Sequence, residues 1–197
     1  MKWVLASGNP GKLAEFEPLL EGSGIELIAQ SALGIASVAE TGRSFVENAL
    51  LKARHAAVQS GLPALADDSG LIVDALGGAP GLISAHYAGQ HGDSAGNIAR
   101  LLAELGSTPE PQRSARFYCV LVLLRSSDDP QPLIAEGVWH GRIHSAAHGA
   151  GGFGYDPVFF DPAHGCTAAE MPAAIKNRCS HRGQALARLR QLVDVCA

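Results

Sequence analysis

The order of apolar and polar residues along the chain predicts strands that alternate with helices. An apolar run at residues 3–6 predicts a first strand, and apolar positions at helical spacing in 13–20 predict the helix that follows it. A second strand is predicted at 25–29. Ser44 and Glu47 have the spacing of a capping box, so a helix is expected from there to about residue 60.

The rest of the chain continues with apolar runs and two more helices. The predicted elements are strands at 62–68 and 71–76, a helix at 95–105, strands at 116–124 and 133–140, a strand at 154–160 and a closing helix at 183–195. The first two of these strands are expected to flank a polar corner at 67–70, and the next two to form an antiparallel hairpin. Helices interleaved with hairpins indicate an α/β or α+β protein with a mixed sheet.

Composition and charge narrow the class of protein. A chain of 197 residues that is 47% apolar and 17% charged can bury one continuous core, so we expect a single domain over residues 1–197. The apolar run at the start is too short for a signal peptide or a membrane span, which predicts a cytoplasmic protein without membrane contact. A net charge of -4 lacks the positive field of duplex-binding proteins, so no nucleic-acid partner is expected.

The segment between the first strand and the first helix has the features of a phosphate-binding loop. Residues 7–12 read Ser-Gly-Asn-Pro-Gly-Lys, and their glycines allow backbone N–H groups to converge at a helix start, where the helix dipole favours an anion. Lys12 adds a positive charge. The glycines are too close together for a P-loop, and Leu13 stands where that motif has Ser or Thr. An ordinary turn that caps a helix fits the same residues.

Three carboxylates are candidates for metal binding and catalysis. Asp67 and Asp68 are expected at the end of an apolar strand, where alternation turns their side chains in different directions. Glu40 lies in a polar loop and could supply a second oxygen ligand, since magnesium takes one or two carboxylates together with phosphate oxygens and water. A lone acidic pair is more often part of a turn, and these residues alone do not decide whether Asp67 or Asp68 is the base.

Two later segments have side chains that could recognise a nucleobase. Residues 153–156, Phe-Gly-Tyr-Asp, follow a glycine-rich approach that would place an exposed ring beside a carboxylate, although a core aromatic fits equally well. Lys176, His181 and Arg182 precede the closing helix and offer hydrogen-bond donors, or form a solvated helix entrance.

Histidines and cysteines point away from a zinc protein. His140, His144 and His148 have a metal-like spacing, but nearby glycines and a strand-like context argue against a shared ligand face. The four cysteines form no C-x-x-C pair.

Taken together, five segments resemble the inosine/xanthosine triphosphate pyrophosphatase family. They lie at 7–12, 66–71, 77–81, 152–157 and 180–183, and they read SGNPGK, ADDSGL, GGAPG, GFGYDP and SHRG. Five co-linear segments that span nearly the whole chain are far more specific than any one of them. Ser7 stands where threonine is commoner in the family, and it keeps the hydroxyl group.

The resemblance implies a homodimeric α/β protein with a long central mixed sheet, flanking helices and two lobes around a nucleotide cleft. It implies magnesium-dependent hydrolysis of ITP, dITP and XTP to the monophosphate and pyrophosphate, which removes deaminated purines from the nucleotide pool. Asp68 is implied as the general base and, with Glu40, as a Mg²⁺ ligand. The residues implied in substrate binding are Ser7, Gly8, Asn9, Pro10, Gly11, Lys12, Ser69, Phe153, Gly154, Tyr155, Asp156, Lys176, His181 and Arg182.

Other functions fit some of the same residues. A pyrophosphatase for pyrimidine or other modified nucleotides is the alternative enzyme, because phosphate-binding groups say little about the base. A nucleotide-binding regulator without turnover would use the same loop and pocket but would leave the carboxylates without a purpose. A zinc protein built on the histidines predicts bound metal after purification.

Overall fold

A computed structural model describes residues 1–196 and shows an α/β protein built on a seven-stranded sheet. The strands are β1 (Lys2–Leu5), β2 (Glu26–Ala29), β3 (Ala64–Val73), β4 (Ser114–Leu124), β5 (Leu133–Ile143), β6 (Phe159–Asp161) and β7 (Cys166–Thr167). The helices are α1 (Pro10–Leu20), α2 (Phe45–Ser60), α3 (Ser94–Leu105), α4 (Ala173–Cys179) and α5 (His181–Cys196). Short 3-10 turns lie at Gln30–Leu33, Asp74–Leu76, Gly81–His86 and Glu110–Gln112.

The sheet is mixed, with the strand order β2-β1-β3-β4-β5-β6-β7. β1 pairs in parallel with β2 and β3, whereas β6 pairs antiparallel with β5 and β7. The predicted α/β class with a long central mixed sheet and flanking helices is therefore confirmed. Within residues 1–196, no helix has the length and apolar character that crossing a membrane requires.

Residue contacts divide the chain into two compact units, and each has its own core. The first unit comprises Met1–Asp68, Cys119–Gly137 and the segment that begins at Arg182. The second comprises Ser69–Tyr118 and Val138–His181. The expectations of one domain over residues 1–197 and of a nucleotide cleft stay predictions.

In the first unit, alternation along β3 creates two faces with different neighbours. Leu65 belongs to a buried core formed by β1, β3, β4, β5, α1 and α5. Its largest fully buried members are Leu5, Phe16, Leu65, Leu121, Leu186 and Leu189. Ala64 and Ala66 are also completely buried, and the period of two places them on the opposite face of the strand. The same alternation continues into the two aspartates that follow.

The second unit has an aromatic core. The Phe117 ring centroid lies 4.5 Å from that of Phe159, and the Trp139 and Phe159 centroids are 4.9 Å apart. Tilted ring pairs at this spacing are favourable beyond the area that they bury. This cluster gives β4, β5 and β6 a common packing centre.

Local capping residues explain where two of the predicted helices begin. Asn9 caps α1 by accepting a hydrogen bond from Gly11 N at 2.9 Å. Ser44 caps α2 by accepting from Glu47 N, and the Glu47 carboxylate accepts from Arg43 N at 2.8 Å. The predicted helix over 44–60 is confirmed as α2, because its start depends on neighbours in sequence.

The predicted polar corner at 67–70 is wrong, because β3 runs without interruption from Ala64 to Val73. Asp67 and Asp68 therefore lie inside a strand and not at its end. Both carboxylates meet cationic side chains from other elements. The sequence Asp-Asp-Ser-Gly is typical of a turn. The cations that meet these aspartates come from distant parts of the chain and cannot be recognised from the local sequence.

Two further parts of the structure differ from the sequence predictions. The strand predicted at 154–160 begins only at Phe159, because residues 153–157 form a turn in which Phe153 N donates to the Asp156 carboxylate at 2.8 Å. The seven-residue helix α4 was not predicted, since so short a segment contains too few apolar repeats to show a helical period.

We expect Leu121→Ala to lower the free energy of unfolding by about 2 to 5 kcal/mol, because truncating a fully buried leucine leaves a cavity. Leu33→Ala is the matched control, since Leu33 is 42% exposed and its truncation is expected to cost less than about 0.5 kcal/mol. Urea denaturation of both variants measures the difference. Equal losses would contradict the assignment of Leu121 to the core.

Candidate active site

The two adjacent carboxylates of β3 point to opposite sides of the strand and meet different cations. Asp67 continues the face of Leu65 and contacts Lys12 of α1 and Arg182 of α5. Asp68 lies on the other face, where its Oδ1 is 2.8 Å from the ammonium group of Lys52 on α2. The different orientations expected from strand alternation are therefore present.

Lys52 joins the two predicted metal ligands. Its Nζ atom lies 2.7 Å from Glu40 Oε1 and 2.8 Å from Asp68 Oδ1. The Asp68 side chain is 9% exposed, whereas that of Glu40 is 43% exposed. Glu40 and Asp68 thus converge on one cation position that opens towards solvent on the Glu40 side.

Burial and mutual repulsion act against the ionised form of Asp68. Burial raises the pKa of Asp68, the charges of Glu40 and Asp67 raise it further, and Lys52 offsets only part of the increase. Burial also disfavours the Lys52 ammonium, but Asp68 and Asp67 outweigh it and raise the pKa of Lys52. The lysine stays charged while the Asp68 carboxylate retains proton affinity.

This donor set fits a magnesium ion. Mg²⁺ takes one or two carboxylates and completes its shell with phosphate oxygens and water. Glu40 and Asp68 supply two carboxylate oxygens at a position that already attracts a cation, and together with Lys52 they carry a formal charge of -1. A divalent ion would meet an unbalanced negative charge at this position.

The loop that carries Glu40 is attached to the helix that carries Lys52. Gly42 N donates to the side chain of the buried Asn48 at 2.7 Å. A β-carbon at Gly42 would lie 2.6 Å from Asn48 Oδ1 and 2.7 Å from Glu47 Cβ, so the close approach requires glycine. Asn48 and Lys52 are one turn apart on α2, which fixes the loop beside the lysine.

Asp67 forms a separate network with two cations. Arg182 Nε and Cys119 Sγ each lie 3.2 Å from Asp67 Oδ2, Lys12 contacts Asp67, and Arg182 also contacts Glu15. Asp67 has no exposed surface, and burial alone would raise its pKa. Lys12 and Arg182 outweigh burial and hold the pKa of Asp67 far below its usual range. Asp67 is thus a permanently ionised partner of these cations.

The loop at residues 7–12 is a capped helix start with an exposed glycine. Asn9 N donates to Ser7 Oγ at 3.1 Å, and Gly8 between them is exposed. Asn9 caps α1, as described above, and Lys12 in the first turn reaches Asp67. The turn interpretation therefore describes the local structure, and phosphate binding by these residues stays a prediction.

In the second unit, an exposed ring lies beside a buried carboxylate and ammonium pair. Lys176 Nζ is 2.6 Å from Asp156 Oδ2, and the same oxygen accepts a hydrogen bond from Phe153 N at 2.8 Å. Phe153 is 38% exposed, and Lys176 lies 5.6 Å from its ring centroid. Gly152 has a φ of +72°, and a β-carbon there would collide with the Asp156 carboxylate. The ring and acid predicted at 153–156 are thus adjacent.

The other residues predicted to bind substrate have structural contacts of their own. Tyr155 is buried, and its hydroxyl donates to Ser84 O at 2.9 Å, which fixes the turn at residues 153–157. Gly154 in this turn adopts a φ of +63°. The buried His181 ring stacks on Phe117 with centroids 4.8 Å apart. Ser69 follows Asp68 in β3 and is partly exposed. Substrate contact by these residues stays a prediction.

Sequence reasoning missed Lys52, Glu15 and Asn48. Lys52 lies three residues after Ala49 and four before Ala56, so it is a charged residue on the apolar face of α2, and that position was a usable signal. Asn48 borders the same face. Glu15 had no comparable signal, because its partner Arg182 is 167 residues away in the chain.

Asp67→Asn should lower the free energy of unfolding by about 3 to 5 kcal/mol near neutral pH, because it leaves Lys12 and Arg182 without their buried counter-charge. A depressed carboxyl pKa stabilises the fold above the pKa of the unfolded chain, and this contribution is lost as the pH falls. The difference between wild type and variant should therefore shrink below about pH 5.

Urea denaturation at several pH values measures this difference, with Asp128→Asn as the control at an exposed aspartate. The control should stay within about 0.5 kcal/mol of wild type. A difference for Asp67→Asn that is constant down to about pH 3 would show that ionisation of Asp67 is not its origin.

Comparison with known proteins identifies the family of this chain. The model of the Ham1 family matches residues 3–192. A dITP/XTP pyrophosphatase from Xanthomonas campestris pv. campestris (strain 8004) is 62% identical over 186 residues, which are 94% of each chain. One from Xylella fastidiosa (strain Temecula1 / ATCC 700964) is 59% identical over 189 residues, covering 96% of this chain and 95% of that relative. A solved structure of a HAM1 protein from Coxiella burnetii is 48% identical, covers 98% of each chain and has a TM-score of 0.90. The chain therefore belongs to the Ham1 family.

Proposed function

We propose that this protein hydrolyses non-standard purine nucleoside triphosphates, namely ITP, dITP and XTP, to the monophosphate and pyrophosphate. The observation that carries the proposal is the convergence of Glu40 and Asp68 on one cation position. Relatives that share 59–62% of their residues with this chain are named dITP/XTP pyrophosphatases. Removal of deaminated purines from the nucleotide pool is the role that follows.

Of the two adjacent aspartates, Asp68 is the better candidate for the base that orients and deprotonates the attacking water. Asp67 has a pKa far below its usual range and is held by Lys12 and Arg182, so it has little affinity for a proton. Asp68 has a raised pKa and lies beside the half-exposed Glu40. The opposite pKa shifts of the two carboxyl groups thus support Asp68 as the base.

Glu40 and Asp68 would hold the magnesium ion. When bound, Mg²⁺ supplies positive charge that neutralises the phosphates and polarises the reacting phosphorus. Lys52 contacts the same two carboxylates and stays protonated because its pKa is raised. Its flexible side chain would then carry its charge from the carboxylates to a phosphate oxygen.

The loop at residues 7–12 would bind the triphosphate through its backbone amides and through Lys12. The exposed Gly8 leaves room for close approach of a phosphate. Lys12 would neutralise the leaving pyrophosphate, and the contact with Asp67 would hold the Lys12 side chain in position. Arg182 acts on the same network by holding Asp67 and Glu15.

For the base, we assign the cluster of Phe153, Asp156 and Lys176 in the second unit. The exposed Phe153 ring offers a stacking surface, and the Asp156–Lys176 pair offers an acceptor and a donor. Donors such as Lys176 and His181 would pair with the 6-oxygen of hypoxanthine or xanthine and would be left unsatisfied by adenine. Binding of other modified or pyrimidine triphosphates is the alternative, which a panel of substrates separates from this one.

The family resemblance implies a homodimer, and a role in the nucleotide pool agrees with a cytoplasmic location. Gel filtration with light scattering measures the assembly.

Incubation with ITP and magnesium should release pyrophosphate before orthophosphate. Asp68→Asn should lower kcat at least ~100-fold, because the variant loses a proton acceptor and a charged metal ligand. The measurement is product analysis over time at saturating magnesium, with Asp128→Asn as the matched control of near-normal rate. Orthophosphate as the first product, or near-normal turnover by Asp68→Asn, would rule out the proposed chemistry.

Phe153→Ala should raise KM for ITP by roughly 5- to 150-fold with a smaller change in kcat, because stacking on a base contributes about 1 to 3 kcal/mol. Ile83→Ala is the control in the same unit, since Ile83 is 43% exposed and large and apolar like Phe153. Steady-state kinetics separates the two parameters. An unchanged KM with reduced kcat would contradict a role in base stacking.

A further inference from the structure

We propose that Asp161, His164 and Cys179 bind a divalent transition-metal ion of the Zn²⁺ class, at a position distinct from the Glu40–Asp68 pair. One ligand atom from each of the three side chains lies within 4.8 Å of the other two. All three residues belong to the second unit, whereas Glu40 and Asp68 belong to the first. The proposed function assigns no role to any of the three.

The spacing of these atoms is close to that of a bound ion. Ligand atoms at zinc-bond lengths in a tetrahedral shell are separated by roughly 3.3 to 3.6 Å. His164 Nδ1 and Asp161 Oδ2 are 2.8 Å apart, and the remaining separations are at most 4.8 Å. Shifts of about 1 Å would complete the shell, a distance within reach of side-chain rotation at the exposed His164.

The donor set selects the kind of ion. An imidazole, a thiolate and a carboxylate are the three ligand types that zinc uses, and three protein ligands leave a fourth position for water. Mg²⁺ prefers oxygen ligands only. With Asp161 and Cys179 ionised and His164 neutral, the ligands carry a charge of -2 that a divalent ion balances.

Neighbouring groups hold the carboxylate in place. Trp139 Nε1 donates to Asp161 Oδ2 at 3.0 Å, and Ala163 N donates to Asp161 Oδ1 at 2.7 Å. Hydrogen bonds to ligating groups orient them and strengthen metal binding. Cys166 on β7 is the cross-strand partner of Asp161, so a second thiol lies on the same face of this strand pair.

The site would connect two elements of the second unit. Asp161 ends β6, and Cys179 ends α4. Lys176 lies one turn earlier on α4 and bonds to Asp156. An ion bound at Cys179 would therefore fix the end of the helix that presents Lys176, and it should stabilise the fold.

A hydrogen-bonded turn explains part of this cluster without metal. Asp161 accepts bonds from Ala163 N, His164 Nδ1 and Gly165 N, which is a complete turn. Cys179 is not part of this turn, and its sulfur contacts Met171 Sδ at 3.5 Å and Lys176 O at 3.8 Å. The contribution of the thiol therefore distinguishes a metal site from a turn.

The test is titration of the full-length, chelator-treated protein with Co²⁺, followed by competition with Zn²⁺. Wild type should bind one Co²⁺ that gives a thiolate-to-cobalt charge-transfer band, which Co²⁺ at the Glu40 and Asp68 oxygens cannot give, and Zn²⁺ should remove that band. Cys179→Ser should abolish the band, and His164→Ala should weaken Co²⁺ binding at least ~10-fold. Zn²⁺ at about a hundred times its Kd should raise Tm by roughly 5 °C or more in wild type.

His91→Ala is the matched control, because His91 is an exposed histidine of the same unit outside the cluster. It should bind Co²⁺ like wild type. The thermal unfolding of each variant without metal shows whether it is folded. A missing charge-transfer band in folded wild type, or equal Co²⁺ affinity in wild type, Cys179→Ser and His164→Ala, overturns the proposal.

Discussion

The ion pairs of Asp67 anchor the first unit, because a carboxylate with no exposed surface is stable only where cations meet it. Lys12 and Arg182 provide those cations from α1 and α5, and Arg182 also meets Glu15. Both helices are thus bound to strand β3 by charge as well as by their apolar side chains. The position of the loop at residues 7–12 depends on this network, since the loop leads directly into α1.

Because of strand alternation, Asp68 points away from Asp67 and has different neighbours. Asp68 faces α2, where one lysine serves two carboxylates and leaves a formal charge of -1. Asp67 meets two cations and stays ionised, whereas Asp68 shares a single lysine with Glu40 and could exchange that cation for another. The same two-residue sequence therefore places a permanently ionised carboxylate at Asp67 and a carboxylate with a raised pKa at Asp68, and the difference comes from their neighbours.

Features that depend on nearby residues could be predicted from the sequence, and features that depend on distant partners could not. The start of α2 follows from Ser44 and Glu47, which are three residues apart. The continuity of β3 depends on Lys12, Lys52 and Arg182, which come from three separate helices, so the aspartates were mistaken for a turn. The site residues were predicted by family resemblance, while the pairing of Lys52 with Glu40 and Asp68 became visible only in three dimensions.

The two cation sites proposed for this chain differ in the chemical hardness of their ligand atoms. Glu40 and Asp68 offer only oxygen, and a hard ion that keeps its water and shares ligands with a phosphate suits a site that must exchange substrate. The cluster at Asp161 adds nitrogen and sulfur, which hold a softer ion more tightly and need no substrate to complete the shell. Because the Asp161 carboxylate is already fixed by Trp139 and Ala163, this ligand would lose little conformational freedom when an ion binds. Such a site suits stabilisation of α4 rather than turnover.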